Sequence, residues 1–249
     1  MKKIEIRIYV LFVILILSLY SISYSQWFFD AETGMAFSGY NNVRIPRETG
    51  TEFSLSQDLK TDPNFFFRMR FGYQIKSKHT LSVLVAPLRL KASGRIDKTI
   101  GFYEEDFPAD VSLNAVYQFN SYRLTYRYDF IRKKNLRLGF GFTAKIRDAV
   151  IRVEGDNKQS EKANIGFVPL INFRLEWLLS KKWSLLLEGD ALAAPQGRAE
   201  DVLLALQLHL NDAVTLKAGY RILEGGADVE EVYNFALIHF ITAGATYRF

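Results

Sequence analysis

From residue 27 to the last residue, apolar and polar side chains alternate with a period of two in one segment after another. In residues 27–40, Trp27, Phe29, Ala31, Met35 and Phe37 share one face, and Asp30, Glu32, Gly34 and Ser38 share the other. Residues 64–75 set Phe65, Phe67, Met69, Phe71, Tyr73 and Ile75 against Asn64, Arg68, Arg70, Gly72 and Gln74. Successive side chains of a β-strand point to opposite sides, so the pattern predicts strands with one greasy and one polar face. The same reading predicts strands over 79–92 (with a shift of register near Pro87), 120–130, 135–147, 164–179, 183–193, 201–210, 213–223 and 233–249. That makes ten, within a range of eight to twelve.

The connections alternate in length. Short polar ones fall at 76–79, 132–135, 180–182 and 211–213, and long ones at 41–62, 93–110, 154–162, 194–200 and 224–231. In an up-and-down arrangement every short turn then lies at one end, together with both termini, and every long loop at the other. This predicts an all-β, transmembrane up-and-down antiparallel β-barrel.

Alternation alone does not say which face is outside, because a soluble barrel turns its apolar side inward. The segments exceed the usual strand length of about five or six residues and reach the roughly 9–11 needed to cross a bilayer at a tilt. Gly72, Gly139, Gly141, Gly219 and Gly244 fall on the polar face, where a crowded lumen suits them better than a solvated surface. The chain carries 20 Phe and 13 Tyr, and all three tryptophans, Trp27, Trp177 and Trp183, fall beside the termini or a short turn. Tyr73, Tyr128, Tyr247 and Phe249 share that level, while Tyr40, Phe65, Tyr117 and Tyr233 fall near the long loops. Two aromatic girdles around an aliphatic band are expected where rings sit at headgroup level.

Composition changes the picture in two places. The absence of cysteine excludes disulfides and thiolate metal sites. The net charge of +5 is spread along the chain, so no nucleic-acid partner is expected. At the N-terminus a basic stretch precedes an apolar run of 13 residues and small residues at Ser23 and Ser25. That order predicts a secretory signal peptide over 1–25, with an uncleaved anchor as the alternative, and leaves 26–249 as the barrel domain.

The closing residues, ATYRF, resemble the C-terminal assembly signal of the small outer-membrane β-barrel proteins of Gram-negative bacteria, with alternating apolar residues ending on an aromatic. The resemblance implies an outer-membrane location with periplasmic termini, and recognition of Tyr247 and Phe249 by the barrel-assembly machinery. Ten strands would match the omptin proteases in size. Such chemistry needs a histidine near the long-loop rim, and His79, His209 and His239 lie at short turns or on the apolar face. No zinc motif, phosphate loop or nucleophile elbow is present, so no catalytic residue, metal or cofactor is expected. The first long connection, TGTEFSLSQD over 49–58, places Phe53 and Leu55 among polar residues, in a short extra strand or over the lumen.

The polar faces carry Asp30, Glu32, Arg68, Arg70, Arg123, Arg127, Asp129, Arg137, Lys145, Arg147, Arg174, Glu176, Glu188, Asp190, Lys217 and Arg221. Turn positions predict Asp129 beside Arg137 and Arg174 beside Glu188. Paired charges of this kind fit a narrow, mostly filled lumen, since unpaired ones would be costly to desolvate. The expected role is non-enzymatic: structural, or binding through the outer loops to a ligand that the chain does not name. A narrow channel preferring anions is the first alternative, and an outer-membrane enzyme acting on lipid or peptide the second.

Overall fold

The computed structural model describes residues 26–249, so the expected signal peptide lies outside the described residues. Ten antiparallel strands close into a barrel. They are β1 (Trp27–Arg44), β2 (Asn64–Ile75), β3 (in two pieces, His79–Ala86 and Arg89–Arg95), β4 (Ser112–Arg132) and β5 (Leu136–Gly155), then β6 (Lys158–Leu178), β7 (Trp183–Ala194), β8 (Gly197–His209), β9 (Val214–Val229) and β10 (Val232–Arg248). Each strand pairs with its neighbours in sequence, and β10 pairs with β1 from Phe28↔Arg248 to Arg44↔Tyr233. Backbone hydrogen bonds between Trp27 and Phe249 finish the seam, so the chain's last residue closes the barrel. Closure removes the exposed edges that a sheet would otherwise present.

The alternation holds along the wall, with the greasy face outward. Phe65 is 77% exposed and Phe142 74% exposed, amid an outward field of Phe, Leu, Val and Ile that only a bilayer would cover. Trp27, Tyr73, Tyr128, Trp177, Trp183, Tyr247 and Phe249 ring the rim that carries Gln26 and Phe249, here the near rim. Trp27 stacks on Phe71 (5.0 Å between ring centres) and touches Tyr73, and Tyr247 stacks on Phe249. Tyr117, expected in the opposite girdle, instead points inward and is buried, because its position falls on the inward parity of β4.

Three of the five expected long connections are hairpins. β5 and β6 pair to Gly155↔Lys158, β7 and β8 to Ala194↔Gly197, and β9 and β10 to Val229↔Val232. Asp156 and Asn157 both take positive φ, the conformation of a two-residue hairpin turn that twists with its strands. Strands of 21, 20 and 21 residues in β4, β5 and β6 therefore run well past the roughly 9–11 needed for a bilayer and form a barrel wall beyond it.

The two remaining long segments fold over the far end. Phe53–Ser54 pairs with β1 and Lys60–Thr61 with the second piece of β3, while Ile100–Phe102 and Glu105–Phe107 form a small hairpin. Phe53, Leu55, Leu59, Ile100, Phe102 and Phe107 are buried against inward residues of β1, β3, β4 and β10. A bulge between Ser38 and Tyr40 reverses the parity of β1, so that Asn41 and Val43 face in. Gly39 occupies the bulge because a Cβ there would meet His239 Nε2 at 2.5 Å. The expected register shift at Pro87 does not occur: Ala86↔Ser121 and Arg89↔Gln118 continue one register on β4. Proline only interrupts the ladder for two residues, since it lacks an N–H.

Candidate functional site

The inward side chains form two layers, and the first is a belt of ion pairs in the near half. Arg221 on β9 grips Glu32 on β1 through Nε and Nη2 at 2.7 and 2.9 Å, and its Nη1 reaches Asp201 on β8 at 2.5 Å. The other Asp201 oxygen accepts from Arg68 on β2 at 2.9 Å and from Arg123 on β4 at 2.5 Å. Arg123 also donates to Asp190 on β7 at 2.7 Å, and Thr143 and Asn172 donate to the second Asp190 oxygen. Neither β2 nor β4 neighbours β8, so a β8 carboxylate holding the guanidiniums of Arg68 and Arg123 draws the belt across the bore.

The rest of the belt fills in toward the near rim. Lys217 sits 2.7 Å from Asp30 and 3.3 Å from Glu32. Glu188 takes Arg174 at 2.8 Å and Arg70 at 3.1 Å, so the expected Arg174–Glu188 pair forms across the β6–β7 ladder. The expected Asp129–Arg137 pair does not form. The chain turns at Lys134 and Asn135 instead of about position 133, so Arg137 already faces Arg132 at the foot of the β4–β5 ladder, and past a bulge between Leu138 and Gly139 Asp129 faces Gly139. Asp129 pairs with Arg127 on its own strand, and Arg137 with Glu176. The free space here is a cavity of about 70 Å³ lined by Arg70, Arg127, Arg174 and Glu188, and another of about 10 Å³ beside Arg123. That is room for a few waters, not for a bore.

Asp201, the hub, opens the expected strand 201–210 yet is absent from the expected charge network. It shares its inward row with Leu203, Ala205 and Gln207, so no run of polar residues marks that face. Also unforeseen is the second layer, where the inward face turns apolar. Phe66, Ile151, Val153, Ala236, Ile238 and Phe240 all occupy inward positions toward the far end and are buried. The lumen is therefore charged below and apolar above.

Lys145 and Arg147, two of the expected charge-network residues, stand apart from the belt at this boundary. Lys145 is 2% exposed, and its Nζ lies 4.6 Å from the centre of the Phe119 ring. Arg147 donates from Nη2 to Asn164, while its Nε is buried without a hydrogen-bond partner. Among the described residues neither has a carboxylate within 4.0 Å. Beside them lie two adjoining cavities of about 350 and 250 Å³ that share Tyr117, Phe119, Arg147, Gln196, Gly225 and Gly226. Gly225 has φ +150°, and a Cβ there would meet the Arg198 carbonyl oxygen at 2.3 Å, so only glycine suits this wall.

Of the three histidines only His209 touches these layers, its Nε2 3.9 Å from Glu176 Oε1. His79 opens β3 and packs on Tyr128, and His209 bonds Ser184 and Thr215 at the near rim. His239 meets Tyr220 on the outward face.

A scan against protein-family models finds no match, and a search of curated protein sequences finds none either. Solved structures do match. The outer membrane protease OmpT from Escherichia coli is 10% identical over 92% of this chain and 99% of its own, with a TM-score of 0.56. Neisserial surface protein A is 16% identical over 90% and 97%, with a TM-score of 0.39. The transport unit of the autotransporter AIDA-I from Escherichia coli is 8% identical over 92% of each, with a TM-score of 0.48. At these identities the likeness concerns fold alone. Closed, ten-stranded and greasy on its outer face, the chain has the fold of the small outer-membrane β-barrel proteins of Gram-negative bacteria.

Proposed function

We propose that this protein is a sealed, non-enzymatic outer-membrane barrel whose role is structural or ligand-binding, exercised from its far half. The observation that carries this reading is Asp201 holding Arg221 on the neighbouring strand together with Arg68 and Arg123 from strands across the lumen. Such a belt is worth most where every charge has a partner, because an ion left alone in a dry bore is heavily penalised. The far half supports the binding part, since it adds walls and an apolar interior that a membrane span does not need.

In this reading the near rim is periplasmic. Both ends of the barrel segment gather there, opposite the two long segments that cap the far end, and the barrel-assembly machinery takes Tyr247 and Phe249 on the closing strand as its signal. Outer-membrane lipid covers the greasy face. Planar-bilayer recording of the mature chain tests the sealed lumen. The expected result is no steady unitary conductance at either polarity. Stable steps, with the anion preference that the lumenal Arg and Lys would impose, would replace the sealed barrel with a narrow channel.

A further inference from the structure

The barrel wall is forked. β5 and β6 pair along 20 positions, to Gly155↔Lys158. β6 and β7 pair along only eight, from Leu178↔Ser184 to Ile171↔Ala191, after which β7 continues with β8 while β6 continues with β5. Above Ile171 the β6 edge and the β7–β8 hairpin face each other without a ladder. Pro169, two residues past the fork, has no N–H to offer across it. The larger cavity is lined by residues from both sides of this gap: Phe167, Val168 and Pro169 on β6, and Leu192, Ala194 and Gln196 opposite.

The fork lies at membrane depth. Eight pairs at about 3.4 Å each, tilted by about 40°, rise roughly 20 Å from the near rim, within the roughly 25 Å apolar band of such barrels. Beyond the fork, Ile165 is still 74% exposed on the outward face, with Phe167 beside it. Unpaired backbone at this depth is tolerated where it lines a cavity.

Charge identifies the occupant. Of the charged side chains around the two cavities, Arg198 is paired with Glu224 and Lys162 with Glu231. Lys145 and Arg147 alone have no carboxylate within 4.0 Å, one buried under a ring and one with a free buried Nε. An anion on these two groups would complete the layer. A carboxylate suits the planar fork of the guanidinium. At roughly 30 Å³ per small group, the volume of a liquid water molecule, about 350 Å³ holds on the order of a dozen methylenes, one chain's worth in the cavity that opens on the fork.

The geometry points to a lateral binding site for a single-chain carboxylate amphiphile, which enters from the membrane between β6 and β7 and sets its carboxylate on Lys145 and Arg147. This goes beyond the sealed-barrel reading and does not depend on it, because access is sideways. Conductance tests the one and ligand binding the other.

The test is equilibrium binding of radiolabelled dodecanoate to the mature barrel in nanodiscs of zwitterionic phospholipid, corrected for partition into empty discs. Saturable binding of one molecule per barrel is expected. Unlabelled dodecanoate should compete at least about tenfold better than dodecanol, the difference one charged contact makes. The double variant K145Q/R147Q should lose that preference while retaining heat-modifiable mobility. Absence of saturable binding to the wild-type barrel would overturn the proposal. So would equal competition by dodecanol, or stronger competition by dodecyl phosphate or a two-chain phosphatidylglycerol. These comparisons use the wild-type protein, so they decide the matter even where the double variant does not fold.

Discussion

Replacing Asp201 by asparagine removes one charge from the centre of the belt without changing its shape. The consequences for the three arginines are unequal. Arg123 keeps Asp190 at 2.7 Å and Arg221 keeps its two bonds to Glu32, whereas Arg68 retains only Glu32 at 4.0 Å. The loss therefore falls mainly on one buried guanidinium. Breaking a buried pair on one side costs about 3–5 kcal/mol, and the partners left to the other two arginines put D201N near the lower end, about 3 kcal/mol. With a urea slope of about 2–3 kcal/mol/M, the unfolding midpoint should fall by about 1–1.5 M. The assay is reversible urea unfolding in lipid vesicles, followed by tryptophan fluorescence and by heat-modifiable gel mobility. Removing the stranded cation as well, in D201N/R68M, should restore most of the loss, because an apolar side chain needs no counter-charge. A D201N midpoint unchanged from wild type, or a double variant no more stable than D201N, would refute the belt as a coupled unit.

Other outcomes follow from the same geometry. F53A removes a buried ring that meets Phe102 edge-on at 6.1 Å; a loss of about 3–5 kcal/mol is expected for such a truncation. It should appear as protease sensitivity of the segment between β1 and β2, with the barrel band intact, and a resistant segment would count against its inward packing. Because Trp27, Trp177 and Trp183 ring one rim, lipids brominated near the headgroup should quench their fluorescence more than lipids brominated near the bilayer centre. The reverse order would contradict that placement. F249S should lower the amount of barrel assembled in cells several-fold while leaving spontaneous folding in detergent nearly unchanged. Equal losses in both settings would make Phe249 a packing residue at the seam with Phe71 and Tyr247, not a signal.

How much of this could be read from the chain depends on how local each feature is. The side-chain period of two belongs to each strand alone, so the outward row of Phe65, Phe67, Met69 and Phe71 is legible without knowing any neighbour. An even number of up-and-down strands brings the start of the first and the end of the last to one rim, where the Trp27–Phe249 backbone bonds close the barrel. Adjacent strands joined by a tight, regular hairpin are nearly as local, and the Arg174–Glu188 pair came out as the turn predicted. Asp129 and Arg137 did not, because the turn closes at Lys134 and Asn135, later than position 133, and a displaced turn centre moves every pair on its ladder; nothing in the alternation marks that centre.

The sequence by itself therefore determined the class of fold, the inward or outward direction of most strand residues, and the rim shared by the start of the first strand and the end of the last. Only the tertiary structure decided which inward charges meet. Asp201, Arg68 and Arg123 lie on strands that never pair, and their distance is set by the shear and closure of the whole barrel, which no segment encodes. It also decided that the far half of the lumen is apolar and that β6 and β7 part company above Ile171, leaving Lys145 and Arg147 beside an open fork. Where a ladder stops depends on the twist and competing partners of four strands at once, and that is a property of the closed barrel, not of any stretch of chain.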